Sequence, residues 1–130
     1  MKFLVGFDGS NSAKAALAMA RTYAKTFNAG IVVVASVEGD IINRDAQLEK
    51  ANANLTYAAQ FLAEESIPTE IEILARGFKP GEDIVKFADE NEFDAVFIGL
   101  RRRSRVDKLV FGSNARYIIV YAPCPVISVK

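Results

Sequence analysis

Two places in this 130-residue chain have the residue types and spacing to do chemistry: Asp8 in "GFDGS", and the glycines Gly99 and Gly112 that bracket a basic segment, "GLRRRSRVDKLVFGS". Asp8 follows the apolar run "KFLVGF". A carboxylate at such a strand end can accept hydrogen bonds from ribose hydroxyls or help hold a divalent cation. It can equally cap the helix that begins after Gly9-Ser10. Gly99 closes the run "DAVFIG", and Gly112-Ser113 opens a helical pattern. Free backbone N–H groups and a hydroxyl at that helix start would welcome an anion. Neither segment is a GxxxxGK[ST] loop or a GxGxxG dinucleotide fingerprint.

Between the glycines stand Arg101, Arg102, Arg103, Arg105 and Lys108. Guanidinium forks suit bidentate phosphate contacts, and one or two of these arginines are expected at a ligand. The rest are expected to keep a loop tip solvated or to pair with Asp107 or an acidic partner. No aromatic residues interleave with the cluster to stack bases, so nucleic acid is not expected. The chain has no histidine, which removes the usual general base and every Ser-His or Cys-His pair. No catalytic residue is assigned. Cys124 lies between two prolines in "APCPV" and reads as a packed thiol, since no neighbour in sequence would lower its pKa.

Lys+Arg and Asp+Glu both total 16, so no chain-wide field draws the protein to nucleic acid or to an acidic membrane. A hydrophobic fraction of 51% suits a single domain over residues 1–130 with a sizeable core. The N-terminal run is too short for a signal peptide, and no run approaches the roughly 18 to 20 apolar residues of a membrane helix. A lone cysteine cannot close an internal disulfide, so the expected compartment is a reducing cytoplasm.

The positioning elements follow from periodicity. "KFLVGF", "GIVVVASV", "FDAVFIG" and the terminal "PVISV" read as strands buried on both faces, the pattern of a parallel sheet covered by helices. "TEIEIL" alternates and reads as an edge strand. Helical stripes run from Ser10 to Asn28 (Ala13, Ala16, Leu17, Ala20, Ala24, Phe27), with Ser10 or Ser12 as N-cap and Gly30 as stop. A second runs from Ile42 to Ser66 (Leu48, Ala51, Leu55, Ala58, Ala59, Leu62). A third starts at Pro80 (Ile84, Phe87, Ala88), and a short fourth follows Gly112-Ser113 with Ala115, Ile118 and Ile119 inward. Such alternation implies one doubly wound α/β domain with right-handed crossovers. Its ligand belongs beyond the carboxyl ends of the strands, where the strand order reverses. For an order 3-2-1-4-5, that point lies between the strands ending at Asp8 and Gly99. Val37, ending the second strand, would wall a flat apolar pocket beside Asp8, or serve the core alone.

The chain resembles the universal stress protein family over essentially its whole length, through "FLVGFDGS", "DAVFIG", "GSNARYII" and "APCPVISVK" in that order. The resemblance implies a five-stranded parallel sheet in the order 3-2-1-4-5, with helices on both faces, of the adenine-nucleotide alpha-hydrolase-like kind. It also implies a homodimer formed by antiparallel pairing of the terminal strand, Val126–Val129. Such a dimer has independent physical sense, because it closes an apolar sheet edge. Many family members bind ATP through a motif of glycine, two residues, glycine, nine residues, glycine and Ser or Thr. Here the outer positions match Gly99 and Gly112-Ser113, followed by Asn114, while the middle glycine falls on Arg102. A Cβ in a left-handed conformation there would cost about 1 to 2 kcal/mol, or roughly tenfold in affinity. Guanidinium–phosphate pairing by Arg102 or Arg103 would offset it.

The resemblance implies ribose contact for Asp8 and an adenine wall at Val37, with Mg²⁺ carried by the phosphates and not by a protein site. Expected function is therefore a homodimeric stress-response protein that binds ATP or another adenine nucleotide, with at most slow hydrolysis. The alternative is a dimeric interaction protein without nucleotide, whose arginine-rich loop docks an acidic partner.

Overall fold

The computed structural model describes residues 1–38, 42–101 and 112–130. Strands and helices alternate as β1 (Lys2–Gly6), α1 (Asn11–Phe27), β2 (Gly30–Ser36), α2 (Arg44–Ala63), β3 (Thr69–Leu74), α3 (Pro80–Glu90), β4 (Ala95–Gly99), α4 (Ser113–Tyr121) and β5 (Val126–Val129). The five strands form one sheet in the order β3-β2-β1-β4-β5, and every neighbouring pair is parallel.

The unbroken apolar runs are what allow this. Leu4, Val5, Val32, Val33, Val34, Val96 and Phe97 are all buried, and alternate side chains serve opposite faces. One face joins Phe3, Val5, Val33, Ala35 and Phe97 to the stripes of α1 and α2. The other joins Leu4, Val32, Val34, Val96 and Ile98 to Ile84, Phe87 and Ala88 of α3 and Ile118 of α4. Phe97 anchors the first face, edge-on to Phe3 at 5.3 Å and to Tyr23 at 5.5 Å between ring centroids. β3 is an edge strand, as its alternation predicts, and Ile71 on it is exposed.

Helix boundaries depart from the periodicity in physical detail. Ser10 caps α1 by accepting from Ala13 N, but the helix stops at Asn28, which takes the left-handed conformation at φ 55° that the pattern assigned to a glycine stop at Gly30. Phe27, the last helical residue, is exposed and not part of the buried stripe. The second helix is shorter than its pattern, Arg44–Ala63 against 42–66. In α4 only Ile118 is buried, and Ile119 faces solvent, because nine residues offer one packed stripe against α3.

Candidate functional site

Parallel register sets the site. Val5 of β1 lies opposite Phe97 of β4, so the chain leaving β1 at Asp8 and the chain leaving β4 at Leu100 and Arg101 emerge side by side. Asp8 Oδ1 accepts from the Ser10 backbone N–H at 2.9 Å, and Oδ2 is paired with the Arg101 guanidinium at 2.7 Å. Asp8 thus orders the turn into α1, whereas Ser10 caps the helix, at 3.2 Å from Ala13 N. Burial pushes the Asp8 carboxyl up. The Ser10 hydroxyl and N–H and the Arg101 charge outweigh that and leave it below its ordinary value. It is an anionic acceptor at neutral pH.

Gly99 is glycine because β4 and α1 nearly touch there. A Cβ would overlap the Ser12 carbonyl carbon and the Ala13 nitrogen and lie 2.6 Å from the Ser12 oxygen. Gly112 is different: among the described residues, nothing lies within 4 Å of where its Cβ would sit. It precedes α4 in extended conformation, and among the described residues the first-turn N–H groups at the positive end of the helix dipole have no capping side chain. Asn114 faces away into the structure through its Oδ1, which accepts from Gly81 N at 3.0 Å. A Cβ on Gly81 would lie 2.7 Å from the Asn114 carbonyl oxygen, so the first turns of α3 and α4 are locked together. Val37 is buried in the α1–α2 side of the core, with its N–H donating to Leu74 O at 2.7 Å. Arg102 and Arg103 lie outside the described residues.

Arg101 is the residue that the sequence reading left undistinguished among five similar cations. Sequence spacing carries no signal for it: only the pairing of Val5 with Phe97, which sets Asp8 opposite Leu100, singles out the neighbouring Arg101. Gly9 was also passed over. Its φ of 80° is a left-handed conformation that favours glycine, and a Cβ there would also displace the Asn54 side chain, 2.5 Å away. Cys124 is half-buried, and burial, with the Asp94 carboxylate, pushes its thiol up, consistent with a packed thiol. Among the described residues, no three His, Cys, Asp or Glu side chains gather where they could hold a metal ion, and no helix is long and apolar enough to cross a membrane.

Fold and site together define a doubly wound α/β protein with an acidic acceptor at its switch point. The model of the universal stress protein family matches residues 1–130, and the chain belongs to that family. A universal stress protein structure from Archaeoglobus fulgidus is 37% identical, covers 100% of this chain and 98% of its own, and superposes with a TM-score of 0.91. Another from that organism, in complex with dAMP, is 34% identical with a TM-score of 0.86, covering 100% of this chain and 98% of that one. A universal stress protein of Thermus aquaticus is 29% identical over 98% of this chain and 96% of its own length.

Proposed function

We propose that this chain is a stress-response regulatory protein that binds an adenine nucleotide, ATP or a monophosphate, in the crevice between the carboxyl ends of β1 and β4. The observation that carries this reading is the Asp8 carboxylate, fixed by Ser10 at the switch point between β1 and β4. Asp8 would accept from the ribose hydroxyls, and the base would lie against the chain at Val37. Gly99, Gly112, Ser113 and Asn114 would offer backbone N–H groups to phosphate, with Arg102 and Arg103 adding charge. The dAMP complex of the 34% identical Archaeoglobus fulgidus protein supports an adenine ligand. Mg²⁺ would arrive on the phosphates and neutralise them.

The active unit in this reading is a homodimer paired along β5, which is an edge strand of the sheet and follows a helix whose Val120 and Tyr121 are exposed. A reducing cytoplasm suits its lone thiol, Cys124. Equilibrium dialysis with labelled ATP and dAMP tests the function, with saturable binding expected below the millimolar range. No binding of either at millimolar concentration rejects it.

A further inference from the structure

Asp8 has two carboxylate oxygens, and both are engaged: Oδ1 by Ser10 N at 2.9 Å and Oδ2 by Arg101 at 2.7 Å. The first contact is local and holds the turn into α1. The second reaches across from the end of β4 through a long side chain that is 72% exposed. A diol approaching Asp8 therefore meets Oδ2 already occupied by a guanidinium donor. The same guanidinium stands two residues beyond Gly99, whose backbone lies against the first turn of α1. It is thus tethered at the strand end beside which a phosphate would sit.

Resting on the nucleotide-binding reading above, we infer that Arg101 is a specificity-determining residue that makes the site select phosphorylated adenine ligands over the bare nucleoside. A nucleoside must displace Arg101 from Asp8 and offers the freed guanidinium nothing in return. A nucleotide displaces it equally but supplies phosphate oxygens, to which a guanidinium binds through charge-assisted, bidentate hydrogen bonds. The Asp8–Arg101 pair is exposed on both sides, 72% and 55%, and pairs of this kind shift an equilibrium by up to about fivefold. That is the penalty the nucleoside bears. The nucleotide recovers more than it loses, since hydrogen bonds to charged groups are worth about tenfold or more.

The test is a calorimetric titration of wild type and Arg101→Ala with adenosine, AMP and ATP, with thermal melting to check that the exposed substitution leaves the fold intact. Arg101→Ala should bind adenosine up to about fivefold more tightly and AMP and ATP more weakly, narrowing the nucleotide-over-nucleoside preference by about tenfold. Raising salt from about 0.05 to 0.5 M should strengthen adenosine binding to wild type while weakening AMP binding, because screening loosens the pair and the phosphate contact alike. If the variant weakens adenosine and AMP by equal factors, or changes neither, Arg101 is no selector, although the nucleotide reading survives. If no ligand binds wild type, both readings fall together.

Discussion

Gly99 and Ser12 are in backbone contact so close that no side chain fits between them: a Cβ on Gly99 would overlap the Ser12 carbonyl carbon. Neither atom belongs to a flexible side chain, so Gly99→Ala must push α1 off β4. We expect a loss of about 1 to 3 kcal/mol or more, the range for overpacking a tight interior, read as a lower urea midpoint at unchanged slope. Gly112→Ala is the contrasting case. Its Cβ enters open space among the described residues, so it should cost less than about 1 kcal/mol of stability. On the proposed function it should nevertheless weaken nucleotide binding about tenfold, or about 1.4 kcal/mol, by standing where a phosphate would approach α4. The two outer motif glycines would then be separated by experiment: Gly99 is required by packing whatever its N–H offers a ligand, and Gly112 by the ligand alone.

The sheet was legible because burial on both faces writes itself into composition. Val32, Val33 and Val34 in succession leave no polar face to turn outward, and a strand of that kind needs helices on both sides. Asp8 and Gly99 were legible as consequences of the strand order. What periodicity missed were features decided by tertiary contact. Nothing in the stripe of α1 reveals that Asn28 adopts the left-handed region or that Phe27 lies in solvent. Arg101 looked like Arg102 or Arg105 because only the pairing of Val5 with Phe97 sets it beside Asp8. Nor does sequence spacing carry the contact between helices in which Asn114 Oδ1 accepts from Gly81 N.

Asp8 links the site to acid stability. Its folded carboxyl titrates below the ordinary value of 3.8, so its stabilising contribution is complete above that value and is lost as pH falls through it toward the lower folded-state value. Carboxyl NMR titration should give Asp8 a midpoint under 3.8. Arg101→Ala and Ser10→Ala should each move that midpoint upward, since each removes a group that favours the anion. A midpoint unmoved by both substitutions would mean that neither the Arg101 nor the Ser10 side chain acts on the carboxylate in solution.

The β3–α3 connection is held by an ion pair that is buried on its acidic side, with the Arg76 side chain 31% exposed. Asp83 is fully buried, and its Oδ1 accepts from Arg76 Nε at 2.7 Å, while the same arginine reaches Glu90 Oε1 at 2.6 Å. Asp83 Oδ2 has no partner among the described residues. Arg76→Ala would strand a buried carboxylate and should cost about 3 to 5 kcal/mol, whereas replacing both partners with apolar residues of similar volume should be close to neutral. Chemical denaturation of Arg76→Ala and of the double variant Arg76→Met with Asp83→Leu checks this. Equal losses in the two would show that the site needs the charges themselves.

The proposed dimer can be broken without disturbing the monomer, because β5 divides its peptide groups between two sides. Pro125 O accepts from Val96 N at 2.9 Å, and Val129 O accepts from Leu100 N at 2.7 Å. Residues two apart in a strand point the same way, so Pro125, Ile127 and Val129 turn their peptide groups to β4, and Val126 and Ser128 turn theirs to the free edge. Proline is tolerated at an edge where the missing N–H faced outward, and Ile127 before it is already extended. Ser128→Pro should therefore remove a donor from an antiparallel β5–β5 pairing while sparing the ladder to β4. Light scattering is expected to report a mass near the 14.2 kDa of one chain for Ser128→Pro and twice that for wild type. Ile127→Pro, which removes a donor to β4, should instead lower the melting temperature. If Ser128→Pro remains dimeric with an unchanged melting curve, the subunits associate through a surface other than β5.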